Sequence, residues 1–101
     1  MSTSSMENVE EYVDLSGFQR DILWTIFHAD DAVHGLAIKE ALEENGYQTV
    51  HHGRLYSNLD DLVDAGLVEK GTRDGRTNEY TLTDTATTVL ADRQSWERGE
   101  I

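Results

Sequence analysis

Residues 51–83 read HHGRLYSNLDDLVDAGLVEKGTRDGRTNEYTLT, and the hydrophobic period changes once inside them. Before Gly66 the apolar residues recur at helical spacing. Leu55, Leu59, Leu62 and Val63 fall on one face, which predicts a helix over about 51–65 that stops at Gly66. From Leu67 the pattern becomes that of strands. Segments 67–72 and 77–83 bracket Arg73, Asp74, Gly75 and Arg76, and Asp-Gly is a tight-hairpin signal. Tyr80 and Leu82 alternate with Thr81 and Thr83, as in a strand with one buried face.

Working outward, Ser16 is a good N-cap for a helix over 17–29. Leu15, Phe18, Ile22, Ile26 and Ala29 form its stripe. Leu23 and Phe27 widen that stripe, and Trp24 lies beyond it. So wide an apolar arc implies burial on two sides, one toward the core and one toward a partner subunit. Asp30 to Gly35 reads as a turn. A second helix over about 35–45 turns Ile38, Ala41 and Leu42 inward and Lys39, Glu40, Glu43 and Glu44 outward, and Asn45-Gly46 ends it. Residues 47–50 connect it to the next helix. Asp84 opens a last helix, 84–98, with the stripe Ala86, Val89, Leu90, Arg93 and Trp96. Residues 1–8 are polar and are expected to be a disordered tail. Residues 9–15, with Val9, Tyr12, Val13 and Leu15 between acids, are expected to form a short helical turn or a docking arm. The order is helix, helix, helix, hairpin, helix. It predicts a mainly α fold with a small β-hairpin (α+β), on the winged helix-turn-helix plan.

The chain has the length of one domain, 101 residues, and contains no cysteine, which excludes disulfides, thiolate metal sites and thiol redox sensing. No apolar run approaches a membrane span, and no signal-peptide stretch opens the chain, so a cytoplasmic protein is expected. Charge is the odd feature: twenty acids against eight bases give a net charge of -12. Such a balance repels phosphates. Either the protein avoids nucleic acid, or it works where salt screens long-range repulsion, since the Debye length falls to about 3 Å at 1 M. A dense acidic surface with only two lysines, Lys39 and Lys70, is the composition of an extreme halophile's protein.

The buried stripe of the third helix dictates what the other side presents. Arg54, Ser57, Asn58 and Asp61 lie opposite the leucines. An arginine can grip guanine O6 and N7, and an asparagine adenine N6 and N7, in a major groove. Asp61 either accepts from cytosine or repels the backbone. Lys70, Arg73 and Arg76, adjoining Thr77 and Asn78, place cations on the hairpin, where they suit phosphates or a minor groove. With Arg54 these are half of all the bases, whereas the first fifty residues hold ten acids and only Arg20 and Lys39 as bases. The competing reading is a solvated hairpin with local ion pairs to Glu69, Asp74 and Glu79. His51 falls near the outward edge and could touch a phosphate or a base, while His52 falls nearer the stripe. Adjacent histidines cannot make an i, i+4 metal pair, so no metal or other cofactor is expected. There is no Gly-rich phosphate loop, no His-Glu-x-x-His motif and no cysteine nucleophile, so an enzyme is not expected.

The stretch Gly53-Arg54-Leu55-Tyr56-Ser57-Asn58-Leu59, continued by Leu62, Gly66-Leu67-Val68 and Tyr80-Thr81-Leu82-Thr83, resembles the PadR-like regulators. Ile22-Leu23, and Gly35-Leu36 with Ile38, fit the family's first and second helices, so the resemblance covers roughly 16–90. It is closest to haloarchaeal members. The resemblance implies a DNA-binding domain over 9–83, with its N-terminal arm, and a C-terminal dimerisation helix over 84–101. It also implies a homodimeric transcription regulator on a partly palindromic operator of double-stranded DNA, with Tyr56 approaching the DNA backbone. Ser57 departs from the proline usual after that tyrosine. With one helix in place of a long C-terminal domain, the dimer is expected to use helices 17–29 and 84–98, with Trp24, Phe27, Val89 and Trp96 as interface candidates. Inorganic cations held by Asp60, Asp61 and Asp64 are expected at the DNA interface. Two alternatives stay open: a protein-interaction module that does not bind DNA, and a switch that lodges a small molecule between dimer halves.

Overall fold

The computed structural model describes residues 3–100, with side chains from Val9 onward. The elements in order are α1 (Thr3–Asp14), α2 (Gly17–Phe27), β1 (Val33–His34), α3 (Gly35–Glu44), α4 (His52–Asp64), β2 (Val68–Thr72), β3 (Asn78–Leu82) and α5 (Asp84–Glu97). The fold is mostly helical, with a three-stranded antiparallel sheet in the order β1-β3-β2. β2 and β3 form the hairpin, with Val68 opposite Leu82 and Lys70 opposite Tyr80.

Two sequence expectations are corrected. The Asp30–Gly35 turn contains β1, where Val33 pairs with Tyr80 and His34 with Glu79. Two residues are too few to show a period of two, so no pattern could reveal this strand. The disordered tail expected over 1–8 is helical from Thr3, continuous with the predicted arm; Met1 and Ser2 lie outside the described residues. Packing explains the arm. Tyr12 is buried, its hydroxyl accepts from Trp24 Nε1 at 3.0 Å, and the turn packs on α5 beside Val89, Arg93 and Trp96.

One core runs through the chain. Ile22, Leu23, Ile38, Leu55, Leu59, Leu62, Tyr80, Ala86 and Leu90 are fully buried within it. α5 therefore shares its inner face, Ala86, Val89 and Leu90, with the same core that seats α4. Caps fix where helices begin. Ser16 and Gln19 make a reciprocal capping box at α2, with bonds of 3.1 and 3.2 Å. Thr83 does double duty: its Oγ1 accepts from Ala86 N at 3.2 Å and donates to the Gly66 carbonyl at 2.8 Å. Gly46 and Gly66, with φ of 119° and 79°, follow α3 and α4 in a backbone conformation that costs glycine little.

The turn between α3 and α4 is tied by Glu43. Its Oε2 accepts from Val50 N at 2.9 Å and from Lys39 Nζ at 3.0 Å. The Val50 N–H first, then Lys39, holds this carboxyl below the usual glutamate range. The tie's stabilising effect is present above the ordinary glutamate pKa and is lost as pH falls through the lowered one.

The ridge of Leu55, Leu59 and Leu62 is wholly buried. Leu59→Ala should destabilise the fold by about 2–5 kcal/mol, read from chemical denaturation, because a closely packed site collapses only partly around a cavity. A loss below about 1 kcal/mol would contradict the packing.

Candidate nucleic-acid interface

With the leucines inward, Arg54, Ser57 and Asp61 are exposed along the opposite side of α4 and Asn58 is half-buried. Each polar side chain has a definite setting. Asn58 Nδ2 donates to the Arg54 carbonyl at 2.8 Å, which leaves its side-chain oxygen directed elsewhere. The Arg54 guanidinium carbon lies 3.9 Å from the centre of the Phe18 ring on α2. His51 is the exposed N-cap of α4 and makes no side-chain cap bond.

Tyr56 is half-buried and turns toward the start of α3. A Cβ built on Gly35 would meet its hydroxyl oxygen at 2.1 Å, so only glycine lets the tyrosine sit there. The His52 ring tilts against Tyr56 at 4.4 Å; His52 is exposed, off the buried stripe near which the sequence placed it. An open groove of about 580 Å³ runs past this pair, lined by His34, Gly35, Leu36, His52, Tyr56, Arg76, Thr77 and Asn78. The fold thus brings Tyr56 together with Arg76, Thr77 and Asn78. Arg54 is not in this groove.

Sequence reasoning missed His34, Gly35 and His52 as lining residues. His34 Nδ1 accepts from Ala37 N at 3.0 Å as the N-cap of α3. A histidine beside Gly-Leu at a helix start was the available signal. Its role depended on β1, which the sequence hid.

The hairpin tip is built by Asp74. Its Oδ1 accepts from Arg76 N and Thr77 N, both at 3.0 Å, and Gly75 takes φ of 82°. The Thr77 N–H, then that of Arg76, holds the Asp74 carboxyl below the usual aspartate range. The tip cations differ in their freedom. Arg73 is bonded to Glu79, and Lys70 Nζ lies 3.9 Å from Asp60. Arg76 forms no ion pair among the described residues. No group of three or more His, Asp or Glu side chains suited to a metal ion occurs among the described residues. No helix there is long and apolar enough to cross a membrane.

The interface candidates on the far side also separate. Val89 is buried, Trp24 and Phe27 are half-buried, and Trp96 is 56% exposed. Trp96 stands near Val9 on an exposed apolar strip of α1 and α5.

A helix with a polar outer face, set beside a second helix and a two-stranded wing, is the working end of a winged-helix regulator. The chain belongs to the PadR-like family of transcriptional regulators, and the match covers residues 22–92. Among solved structures, the complex structure of hsRosR-S4 is 45% identical, with a TM-score of 0.82 over 92% of this chain and 79% of that one. Halobacterium salinarum RosR grown from NaBr is 48% identical, with a TM-score of 0.77 over 86% of this chain and 77% of that one. A Staphylococcus aureus MepR–DNA complex shares the fold at 18% identity, with a TM-score of 0.72 over 93% of this chain and 73% of that one. No curated protein matches the chain. The family and the fold agree with the expectations from sequence, and the RosR likeness fits the halophilic composition.

Gly35→Ala should destabilise the protein by about 1–3 kcal/mol through overpacking against Tyr56. In a Tyr56→Ala background the same change should cost much less. Additive losses in denaturation would show that the two residues do not meet.

Proposed function

We propose that this protein is a sequence-specific DNA-binding transcription regulator that acts in the cytoplasm, as a homodimer, on a partly palindromic operator at high salt. The observation that carries the reading is the outward polar edge of α4 beside a groove that joins Tyr56 to the wing residues Arg76, Thr77 and Asn78. α4 enters a major groove, where Arg54, Ser57 and Asn58 address base edges and His51 reaches an edge or a phosphate. Tyr56, Thr77, Asn78 and the cations Lys70, Arg73 and Arg76 address the backbone. Membership of a family of transcriptional regulators supports this reading.

The dimer is assigned to the side away from α4. Val9 at 42%, Val13 at 46% and Trp96 at 56% exposure leave α1 and α5 with apolar surface that a second copy would cover. Val89 lines that surface, and Trp24 holds Tyr12 beneath it.

The net charge of -12, and the pairing of two wing cations to carboxylates, favour the rival reading of a protein-interaction module that avoids DNA. A titration with duplex DNA at low and at multimolar salt separates them. Absence of saturable binding at every salt would retire the regulator.

Salt makes the stronger test. A protein that merely displaced condensed cations at ~6 phosphates would weaken about ten-million-fold between ~0.2 and ~4 M salt, at a slope of about -0.9 per contact. We expect a flat or rising affinity instead, with Asp60, Asp61 and Asp64 on α4 taking up cations as DNA arrives. A steep linear fall of log affinity with log salt would reject the uptake.

Arg76→Ala should weaken binding to all duplex sequences alike, and by more than Arg73→Ala, because Glu79 already engages Arg73. Equal losses in a fluorescence anisotropy titration would mean that DNA strips Glu79 from its partner.

A further inference from the structure

The reading of α4 as the base-reading helix leaves open what holds its one arginine in place. Arg54 makes no ion pair among the described residues. It lies instead face-on to Phe18, with 3.9 Å from guanidinium carbon to ring centre. Phe18 is 5% exposed and is fixed by the α2 core. Tyr47, in the connector after α3, meets Phe18 edge-on at 5.4 Å and 76°. The Tyr47 hydroxyl donates to Asp21 Oδ2 on α2 at 2.7 Å, a bond spanning 26 residues of chain. Two elements, α2 and the connector after α3, thus build the seat of one side chain of α4.

We infer that Phe18, Tyr47 and Asp21 are a positioning set for Arg54 and fix the base edge it reads; this rests on the DNA-binding reading above. The chemistry is specific to arginine. Stacking uses the flat face of the guanidinium and leaves its N–H donors free at the rim, the edge that guanine O6 and N7 require. A loose arginine must lose much side-chain freedom when it grips a base, and a stacked one has lost part of that freedom before DNA arrives. The Tyr47–Asp21 bond keeps the supporting ring against Phe18. It also explains why the Tyr47 phenol is raised above its ordinary range: the hydrogen bond to the Asp21 carboxylate is the first cause, and burial the second.

The test uses a randomised duplex library, scored by selection and sequencing, with the full chain and its F18L, Y47F, D21N, R54A and R54K variants. R54A should lose preference at one base position per half-site. F18L and Y47F should lose about two- to fivefold of that same preference, the range of a partly exposed cation–π contact. Added to R54A, neither change should matter further. R54K should behave like R54A, because an ammonium has no flat face to stack and no two-pronged edge. In the free protein, the Arg54 side-chain N–H proton should be shifted upfield by the Phe18 ring current, and F18L should abolish that shift. Should F18L fail to fold, Y47F and D21N, which keep the shape of each side chain, carry the same test.

Loss of preference in R54A with full preference in F18L and Y47F would overturn the positioning set and leave the DNA reading intact. Unchanged preference in R54A would overturn both. An unshifted Arg54 proton in the folded wild type would overturn the set without reference to DNA.

Discussion

Leu55, Leu59 and Leu62 have no exposed surface, and their burial sets how α4 is rotated about its own axis. At 3.6 residues per turn, a helix whose leucine side is pinned has no freedom left in choosing which residues it shows to solvent. The outward placing of Arg54, Ser57 and Asp61 is thus a by-product of apolar packing. So is the depth of Tyr56, one position beyond Leu55, which swings it toward α3 and onto the bare backbone of Gly35. The wing follows from the same anchoring, because Leu67 and Val68, which enter β2 straight from Gly66, are buried in the same core.

Electrostatics is layered on this frame and works against long-range attraction. The few cations near α4 are placed individually, by a ring under Arg54, a carboxylate beside Arg73 and another near Lys70. Such short contacts keep their meaning in strong salt, whereas a diffuse field is screened within a few ångströms. A protein of net charge -12 can therefore carry a local site for phosphates if geometry, and not field strength, does the selecting.

Much of this was legible without coordinates. The four helices from residue 17 onward, the hairpin and the leucine ridge are written in periodicity, and the ends of α3 and α4 in glycines. Tyr56 entered through the family resemblance, and Arg76, Thr77 and Asn78 through the make-up of the hairpin. What escaped was non-local or too short to repeat. β1 has two residues, and its existence depends on Tyr80, far along the chain. α1 was read as a tail and a short arm because what it packs on is α5, at the other end of the sequence. The seat of Arg54 on Phe18 joins residues 36 positions apart, and no spacing rule connects them. His34 fell inside the Asp30–Gly35 turn, because its capping position comes with β1, whose last residue it is.

Thr83 has a wider consequence. Its single hydroxyl holds the Gly66 carbonyl that follows α4 and the Ala86 amide in the first turn of α5. With the Thr83 N–H on the Leu67 carbonyl at 3.1 Å and the core that α4 and α5 share, it ties the end of one helix to the start of the other. Anything that grips α5 therefore has a short mechanical path to α4, through a bridge of a few atoms and not along the whole hairpin.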